Sequence, residues 1–147
     1  ALYNLSNSTN KNLKYFTGTM KYEITYKLPK QIEIKNHQAY LDLGQVGVVA
    51  KVWLNGNYVG ISWKSPFILP ISTLKKGSNK IVVEVANLWH NRLIGDAKLT
   101  PNLRTTSTNI TRLPNGWSMP MKDLPNSTYT LPPSGLIGPV KVYYIKN

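Results

Sequence analysis

Residues 46–63 read VGVVAKVWLNGNYVGISW, and this stretch decides the fold class. Apolar side chains occupy every second position from Val48 to Leu54, which leaves Lys51 and Trp53 on the opposite face. A period of two is typical of a strand with one face in a core. Asn55-Gly56 follows directly, and this dipeptide favours the two-residue turn that needs positive φ at both positions. The stretch therefore predicts a β-hairpin whose second strand covers residues 58–63.

Alternating patterns on both sides of this hairpin predict further strands. They cover residues 20–28, 39–43, 46–54, 80–86 and 139–146, and more weakly 31–35. The Gly44–Gly47 step predicts a bend or bulge, and Pro66 and Pro70 frame an edge strand because proline has no amide hydrogen to donate. No segment of sufficient length shows helical amphipathicity. We therefore predict an all-β protein built as a sandwich or barrel.

A long segment between the last two strands has a different texture. Residues 97–138 are rich in proline, threonine, serine and asparagine, without a sustained period of either kind. Such a length without secondary structure is uncommon in a compact domain. We expect an ordered functional loop or a covering flap with short strands inside it.

Length and composition exclude several classes of protein. At 147 residues the chain is long enough for one ordinary core, so we expect a single domain. Cysteine is absent, which excludes a disulfide framework, a thiolate metal site and a thiol nucleophile. No apolar run approaches the roughly 20 residues that span a bilayer, and the N-terminus has no basic region followed by an apolar one. We expect no membrane partner, and a soluble chain that is processed or cut from something longer.

The charge is strongly positive, at a formal +12 from 18 basic and 6 acidic residues. A field of that sign favours anionic partners such as nucleic acid, an acidic polysaccharide or a charged surface. The basic residues are scattered, however, with Lys75-Lys76 the only adjacent lysines. Lysines on solvated strand faces are therefore the favoured explanation of this spread.

Seven short motifs, in this order, resemble one family of domains. They are YFTGTMKY at 15–22 before Leu28-Pro29, LDLGQV at 41–46, VWLNG at 52–56, Gly60 with Trp63, Pro66-Phe67, NLWHNRLIGD at 87–96, and SGLIGPV at 134–140. The chain resembles the galactose-binding-like jelly-roll domains attached to glycoside hydrolases. The closest similarity is to the C-terminal domain of α-L-rhamnosidase-type enzymes of family 106, and the next is to the sugar-binding-like domain of family 2.

This resemblance implies a galactose-binding-domain-like, antiparallel jelly-roll β-sandwich of eight strands, covering residues 13–147. Residues 1–12 would then be an N-terminal extension or linker. Domains of this kind accompany a catalytic barrel and usually have no catalysis of their own. The resemblance also implies that Trp63 and Phe67 pack in the core. In this context we expect a secreted or periplasmic location.

The acidic residues do not form a convincing catalytic pair. Glycoside hydrolysis needs two carboxyl groups about 5 to 9.5 Å apart across the scissile bond. Glu23, Glu33 and Glu84 alternate onto the polar sides of strands, where solvated charge is the simplest interpretation. Asp96 follows Gly95 close to Arg92, which favours a structural ion pair or a loop hydrogen bond over acid catalysis. We therefore predict no catalytic residues.

Metal content is left open by the sequence. His37 and His90 are the only imidazoles, and neither has the spacing of a metal ligand. Related jelly rolls often hold a structural calcium ion, but six acids in a strongly positive chain do not support one here. We therefore expect no cofactor. His90 is interpreted as a packed, hydrogen-bonded loop residue, with ligand contact as the alternative.

Sugar recognition relies on aromatic faces that stack on the pyranose and on polar groups that bind its hydroxyls. Candidates must therefore lie outside the core, on an outward strand face or in a loop. Arginines beside them could pair with a carboxylate sugar through two parallel hydrogen bonds. The candidate ligand-binding residues are Trp53, Trp89, Arg92, Arg112, Trp117 and Tyr129.

Three functional hypotheses follow from these residues. The first is a non-catalytic module of a glycoside hydrolase, of the rhamnosidase type, that binds a plant or microbial polysaccharide, with an acidic polymer favoured by the charge. The second is a purely structural domain that supports the catalytic barrel without sugar affinity. The third, nucleic-acid binding, is disfavoured because basic and exposed aromatic residues do not interleave along one strand face.

Overall fold

The computed structural model describes residues 1–106 and 130–146, and antiparallel strands make up most of them. The strands are β1 (Gly18–Lys27), β2 (His37–Asp42), β3 (Gln45–Val46), β4 (Val49–Leu54), β5 (Asn57–Ser62), β6 (Ile68–Ile71), β7 (Ser78–Asn87), β8 (Leu136–Gly138) and β9 (Lys141–Lys146). The helices in the described residues are α1 (Lys11–Lys14), α2 (Trp89–Ala97) and the 3₁₀ helices Leu5–Asn7, Ile34–Asn36 and Pro101–Leu103.

The strands form two main sheets that face each other. One sheet has the order β1-β7-β4-β5 and the other has the order β6-β2-β9, while β3 and β8 form a small third sheet. Every pair of neighbouring strands is antiparallel. This arrangement confirms the predicted antiparallel β-sandwich, and β6 lies at a sheet edge, as its two prolines predicted.

The core lies between the two main sheets and uses the alternate positions of each strand. Val52 on β4 pairs with Val83 on β7, and both side chains are fully buried. Leu41 on β2 and Leu136 on β8 are buried in the same apolar cluster. Burying each such side chain contributes about 1.5–3 kcal/mol. The alternation that is visible in the sequence is therefore the pattern that builds the core.

The hairpin between β4 and β5 has the backbone that its sequence predicted. Asn55 has φ of 53° and Gly56 has φ of 86°, so both central residues adopt the left-handed conformation. The Asn55 side chain also fastens the turn to β7, because its Oδ1 accepts the backbone amide hydrogen of Lys80 at 3.0 Å. Its Nδ2 donates to Oδ1 of the buried Asn79 at 2.8 Å.

The predicted strand over residues 46–54 is divided by a bend at Gly47, which confirms the predicted break. A Cβ atom at Gly47 would lie 2.9 Å from the Cα atom of Ser134, so the chain passes too close there for a side chain. Gly47 also donates its backbone N–H to the carbonyl of Gly135 at 2.9 Å. The bend lets the chain join the small sheet first and the large sheet afterwards.

The weak strand predicted over residues 31–35 is wrong. Ile32 and Ile34 do pack against the core, but the chain there turns into the Ile34–Asn36 3₁₀ helix. Local hydrogen bonds take the place of a strand ladder: Asn36 Nδ2 donates to Glu33 Oε2 at 2.7 Å. A period of two over five residues shows which side chains face the core, and a short helical turn can partly bury the same two.

The predicted burial of Trp63 is also wrong. Trp63 follows the end of β5 and is 70% exposed, with Lys64 Nζ 5.7 Å from its ring centroid. Ser62, immediately before it, points inward and is buried. Since successive strand side chains alternate between faces, the indole is directed to solvent. Phe67 is half-buried and packs against the core, in agreement with its predicted role.

These two aromatic residues should respond differently to truncation. We expect Phe67→Ala to lower the free energy of unfolding by about 2 kcal/mol. This is about half of the loss for a fully buried phenylalanine, because the Phe67 ring is only half-buried. Trp63→Ala should change it by less than about 0.5 kcal/mol, as is usual for exposed positions. Urea denaturation followed by far-UV circular dichroism measures both. Equal losses would contradict this assignment.

The segment predicted as an extension or linker, residues 1–12, contacts the sandwich. Leu5 is buried and donates its backbone N–H to the carbonyl of Ser134 at 3.0 Å. The Asn4 side chain accepts the backbone N–H of Ser134, also at 3.0 Å. These are the contacts of a packed segment, which differ from those of a free linker. The division of the chain at residue 13 stays a prediction.

Candidate functional site

The motif at 87–96 forms a helix, α2, where the sequence predicted a loop. Asn91, Ile94 and Gly95 are buried, and their spacing of three and four places them on one helical face. The pattern was missed because the helix has only nine residues and because an asparagine and a glycine occupy this face in place of apolar residues. Asn91 Nδ2 donates to the carbonyl of Pro132 at 3.1 Å, which attaches the helix to the irregular segment before β8.

An ion pair along α2 orients Arg92. Its Nε lies 3.0 Å from Oδ1 of Asp96, one helical turn further on. Asp96 is 1% exposed, and its Oδ2 accepts the backbone amide hydrogens of Thr105 at 3.0 Å and Thr106 at 2.7 Å. Both threonine hydroxyls donate to the same oxygen, and Arg92 Nη2 donates to Thr105 Oγ1. This confirms the predicted structural role of Asp96 and extends it, because Asp96 also holds the 105–106 segment against the helix.

The Asp96 carboxyl group stays ionised in this environment. Its burial acts to raise its pKa, but the hydrogen bonds from Thr106, the charge of Arg92 and the hydroxyl of Thr105 outweigh burial and hold the pKa below its ordinary value. A carboxyl group with a lowered pKa is a poor general acid at neutral pH. Asp96 therefore acts as an anchor.

A cleft of about 500 Å³ opens beside Arg92, and we call it the Trp89 cleft. It lies between α2, the residues before β1 and the segment that Asp96 holds. Trp89 is 62% exposed on its rim. The cleft is lined by Asn12, Phe16, Thr17, Trp89, Arg92, Thr105 and Thr106. Two aromatic rings, one guanidinium and several hydroxyl and amide groups thus converge on one concave surface.

Two of the six predicted ligand-binding residues, Trp89 and Arg92, meet in this cleft. Trp53 does not join them. It lies on the outer face of the four-stranded sheet, as predicted, where its ring contacts Tyr58 edge-on with centroids 5.7 Å apart. The other three predicted residues fall outside the described residues: Arg112, Trp117 and Tyr129.

Sequence reasoning missed the other five residues of the cleft, which are Asn12, Phe16, Thr17, Thr105 and Thr106. Phe16 was interpreted only as part of the motif before β1, although an aromatic residue just outside a strand is a candidate for an end-of-sheet surface. No sequence pattern linked Thr105 and Thr106 to Asp96. His90 is half-buried on α2, so it is a helical residue where a loop residue was predicted.

Of the other acidic residues in the described part of the chain, Glu23 is engaged in ion pairs. Glu23 lies between Lys80 Nζ at 2.9 Å and Lys21 Nζ at 3.2 Å on the outer sheet face. Within residues 1–106 and 130–146, no group of three or more metal-ligating side chains is placed to hold an ion. Likewise, none of the helices in these residues is long and apolar enough to cross a membrane.

Comparison with known proteins places similar segments in glycoside hydrolases. A curated protein from Formosa agariphila, named "Putative beta-glucuronidase", is 40% identical over 146 residues, which is 90% of this chain and 12% of that protein. A solved rhamnosidase from Novosphingobium sp. PP1Y superposes with a TM-score of 0.75 at 35% identity, over 96% of this chain and 12% of the rhamnosidase chain.

A solved beta-glucuronidase from an uncultured Clostridium sp. gives a TM-score of 0.50 at 25% identity, over 60% of this chain and 15% of its own. No protein-family model matches the chain. The chain thus spans a small part of each protein that it matches. These similarities confirm the predicted resemblance to a domain of glycoside hydrolases, including one of the rhamnosidase type.

Proposed function

We propose that this chain is a non-catalytic carbohydrate-binding module of a glycoside hydrolase, and that the sugar binds in the Trp89 cleft. The observation that carries the proposal is the exposed Trp89 ring beside a guanidinium that Asp96 holds in place. An aromatic face can stack on a pyranose, and an oriented guanidinium can donate two hydrogen bonds to a carboxylate or to hydroxyls. The parent enzyme would be similar to the rhamnosidase that this chain resembles.

The charge supports an acidic polysaccharide as the ligand. The formal net charge of +12 attracts polyanions and raises their local concentration. Since a polymer of this kind is too large to enter a cell, we further propose a secreted or periplasmic location. The absence of catalysis belongs to the same proposal, and it is supported by the commitment of Glu23 and Asp96 to ion pairs.

Calorimetric titration of the chain with polygalacturonate and with a neutral glucan tests this function. We expect binding that Trp89→Ala weakens by about tenfold, since loss of one stacked aromatic ring costs on the order of 1 kcal/mol or more. Trp63→Ala is the matched control, because this indole is equally exposed but lies outside the Trp89 cleft. No binding of either polymer at millimolar sugar concentration would overturn the proposal.

A second candidate function, mechanical support of a catalytic domain, is favoured by the outer face of the three-stranded sheet. Ile68, Tyr143 and Ile145 are 37%, 39% and 57% exposed on this face, and Pro70 lies among them. Gln38, Asp42 and Lys141 share this face, so it is partly apolar, and a mixed surface of this kind suits packing against another domain. The titration separates the two candidates, since a purely supporting domain binds no sugar.

A further inference from the structure

A second cleft lies at the C-terminal half of α2. Its volume is about 300 Å³, at the lower end of the range for small-ligand sites. We call it the Tyr15 cleft. It is lined by Ser6, Asn7, Lys14, Tyr15, Ile94, Lys98, Thr130 and Leu131. None of these residues lines the Trp89 cleft, so the two clefts are separate surfaces that share one helix.

Two lysines converge on one aromatic ring in this cleft. Lys14 Nζ lies 6.0 Å from the centroid of the Tyr15 ring, and Lys98 Nζ lies 5.6 Å from the same centroid. Lys98 Nζ also donates a hydrogen bond to the Tyr15 hydroxyl oxygen at 3.3 Å. A ring attracts a nearby cation, but two cations near one ring repel each other.

No carboxylate of the described residues compensates these two charges. The ion pairs found there involve Lys21, Lys80 and Arg92, so Lys14 and Lys98 have no described carboxylate oxygen within 4.0 Å. The nearest acidic residue along α2 is Asp96, which is buried and already paired with Arg92. Among the described residues, the cleft therefore has two ammonium groups beside an aromatic ring and no carboxylate partner for either.

The ring is held in place by close packing against α2. A Cβ atom at Gly95 would lie 2.6 Å from Cγ of Tyr15. The ring therefore fills the space that the side chain of any other residue at position 95 would need. The backbone N–H of Tyr15 donates to the carbonyl of Lys11 at 3.1 Å. A ring held in this way loses little conformational entropy when a ligand binds.

We propose that the Tyr15 cleft binds an anionic sugar unit, one that carries a carboxylate or a sulfate group. The inference rests on the proposed carbohydrate-binding function and adds a subsite to it. The two ammonium groups contact the anionic substituent, the Tyr15 ring contacts the sugar, and the exposed Asn7 supplies an amide for its hydroxyls. Charge-assisted hydrogen bonds are roughly twice as strong as neutral ones, so the anion dominates affinity.

NMR titration of the chain with D-glucuronate, glucose 6-sulfate and D-glucose tests the inference. We expect both anions to shift the Tyr15 ring signals, with an affinity that falls at high NaCl concentration, while glucose shifts them little. Binding of only one anion identifies whether the substituent is a carboxylate or a sulfate. Equal binding of glucose and the anions would overturn the inference.

The double variant Lys14→Met, Lys98→Met should weaken anion binding by about tenfold, since two charge-assisted contacts are lost. The matched control is Lys27→Met, Lys51→Met, which removes the same charge from exposed strand positions. Equal effects of the two double variants would mean that net charge alone attracts the anion, and the subsite would be rejected. The proposed function would survive that result if Trp89→Ala still reduced polysaccharide binding, whereas no response to any sugar or polymer would reject both.

Discussion

Replacing Gly44 with alanine is expected to cost about 4 kcal/mol of unfolding free energy, because a backbone clash adds to an unfavourable backbone conformation. Gly44 has φ of +66°, and a Cβ atom there would lie 2.4 Å from the carbonyl carbon of Gly138. That neighbour cannot move aside easily, because Gly138 pairs with Gln45 in the small sheet. The expected loss is a large share of the 5–15 kcal/mol that stabilises a typical domain.

Gly77→Ala is the matched control for this prediction. Gly77 has φ of +81°, but no atom lies within 4 Å of the position that its Cβ atom would take. This variant should therefore lose only about 1–2 kcal/mol, the cost of left-handed backbone at a residue with a Cβ atom. Comparing the urea denaturation midpoints of the two variants separates the cost of the steric clash from the cost of the left-handed backbone conformation. Similar midpoints would show that the approach of Gly44 to Gly138 is unimportant.

Replacing Asp96 with alanine is expected to have the second largest effect, about 3 kcal/mol, because it removes one partner of a buried charge network. Arg92 then loses its counterion, and the backbone amides of Thr105 and Thr106 lose their acceptor. Asp96→Asn should lose less, since an amide oxygen can still accept from the threonines. Glu23→Gln is the control, because that ion pair is exposed and should leave the unfolding free energy nearly unchanged.

The contribution of Asp96 should depend on pH in a defined direction. Its pKa in the folded chain lies below the ordinary value of 3.8, so the unfolded chain binds the proton more tightly. The stabilisation is therefore complete above that ordinary value and is lost as the pH falls through the lower, folded pKa. The difference in unfolding free energy between the native chain and Asp96→Asn should shrink in this acid range. A difference that grows on acidification would contradict the assigned direction.

The loss of Asp96 also bears on the proposed binding sites. Asp96 fixes Arg92 and the 105–106 segment, which form one side of the Trp89 cleft. Loss of this anchor should therefore weaken sugar binding even under conditions where the Asp96→Asn variant remains folded. The Tyr15 cleft uses the opposite end of the same helix, so α2 is the element that connects the two proposed sites.

Part of the candidate site could be predicted from the sequence. The aromatic and basic residues of the 87–96 motif identified Trp89 and Arg92. The nearness of Asp96 to Arg92 in the sequence favoured an ion pair or a loop hydrogen bond, and the ion pair forms. Phe16, Tyr15 and Lys98 could not be selected in this way, because what distinguishes them is their position relative to α2. Contacts such as that of Tyr15 with Gly95 join residues 80 positions apart, so no pattern among neighbouring residues indicates them.

The sequence by itself determined most of the strands and the β4–β5 turn. The exceptions are the strand predicted over 31–35, which does not form, and the short β8, which lies inside the predicted long loop. Side-chain alternation and the backbone preference of Asn55-Gly56 are properties of neighbouring residues, so they are visible in any short window. Only the tertiary structure decided that residues 89–97 form a helix, that Trp63 faces solvent and that two clefts open beside α2. The physical reason is that these features depend on distant partners: Pro132 binds Asn91, Thr105 and Thr106 bind Asp96, and the Tyr15 ring covers Gly95.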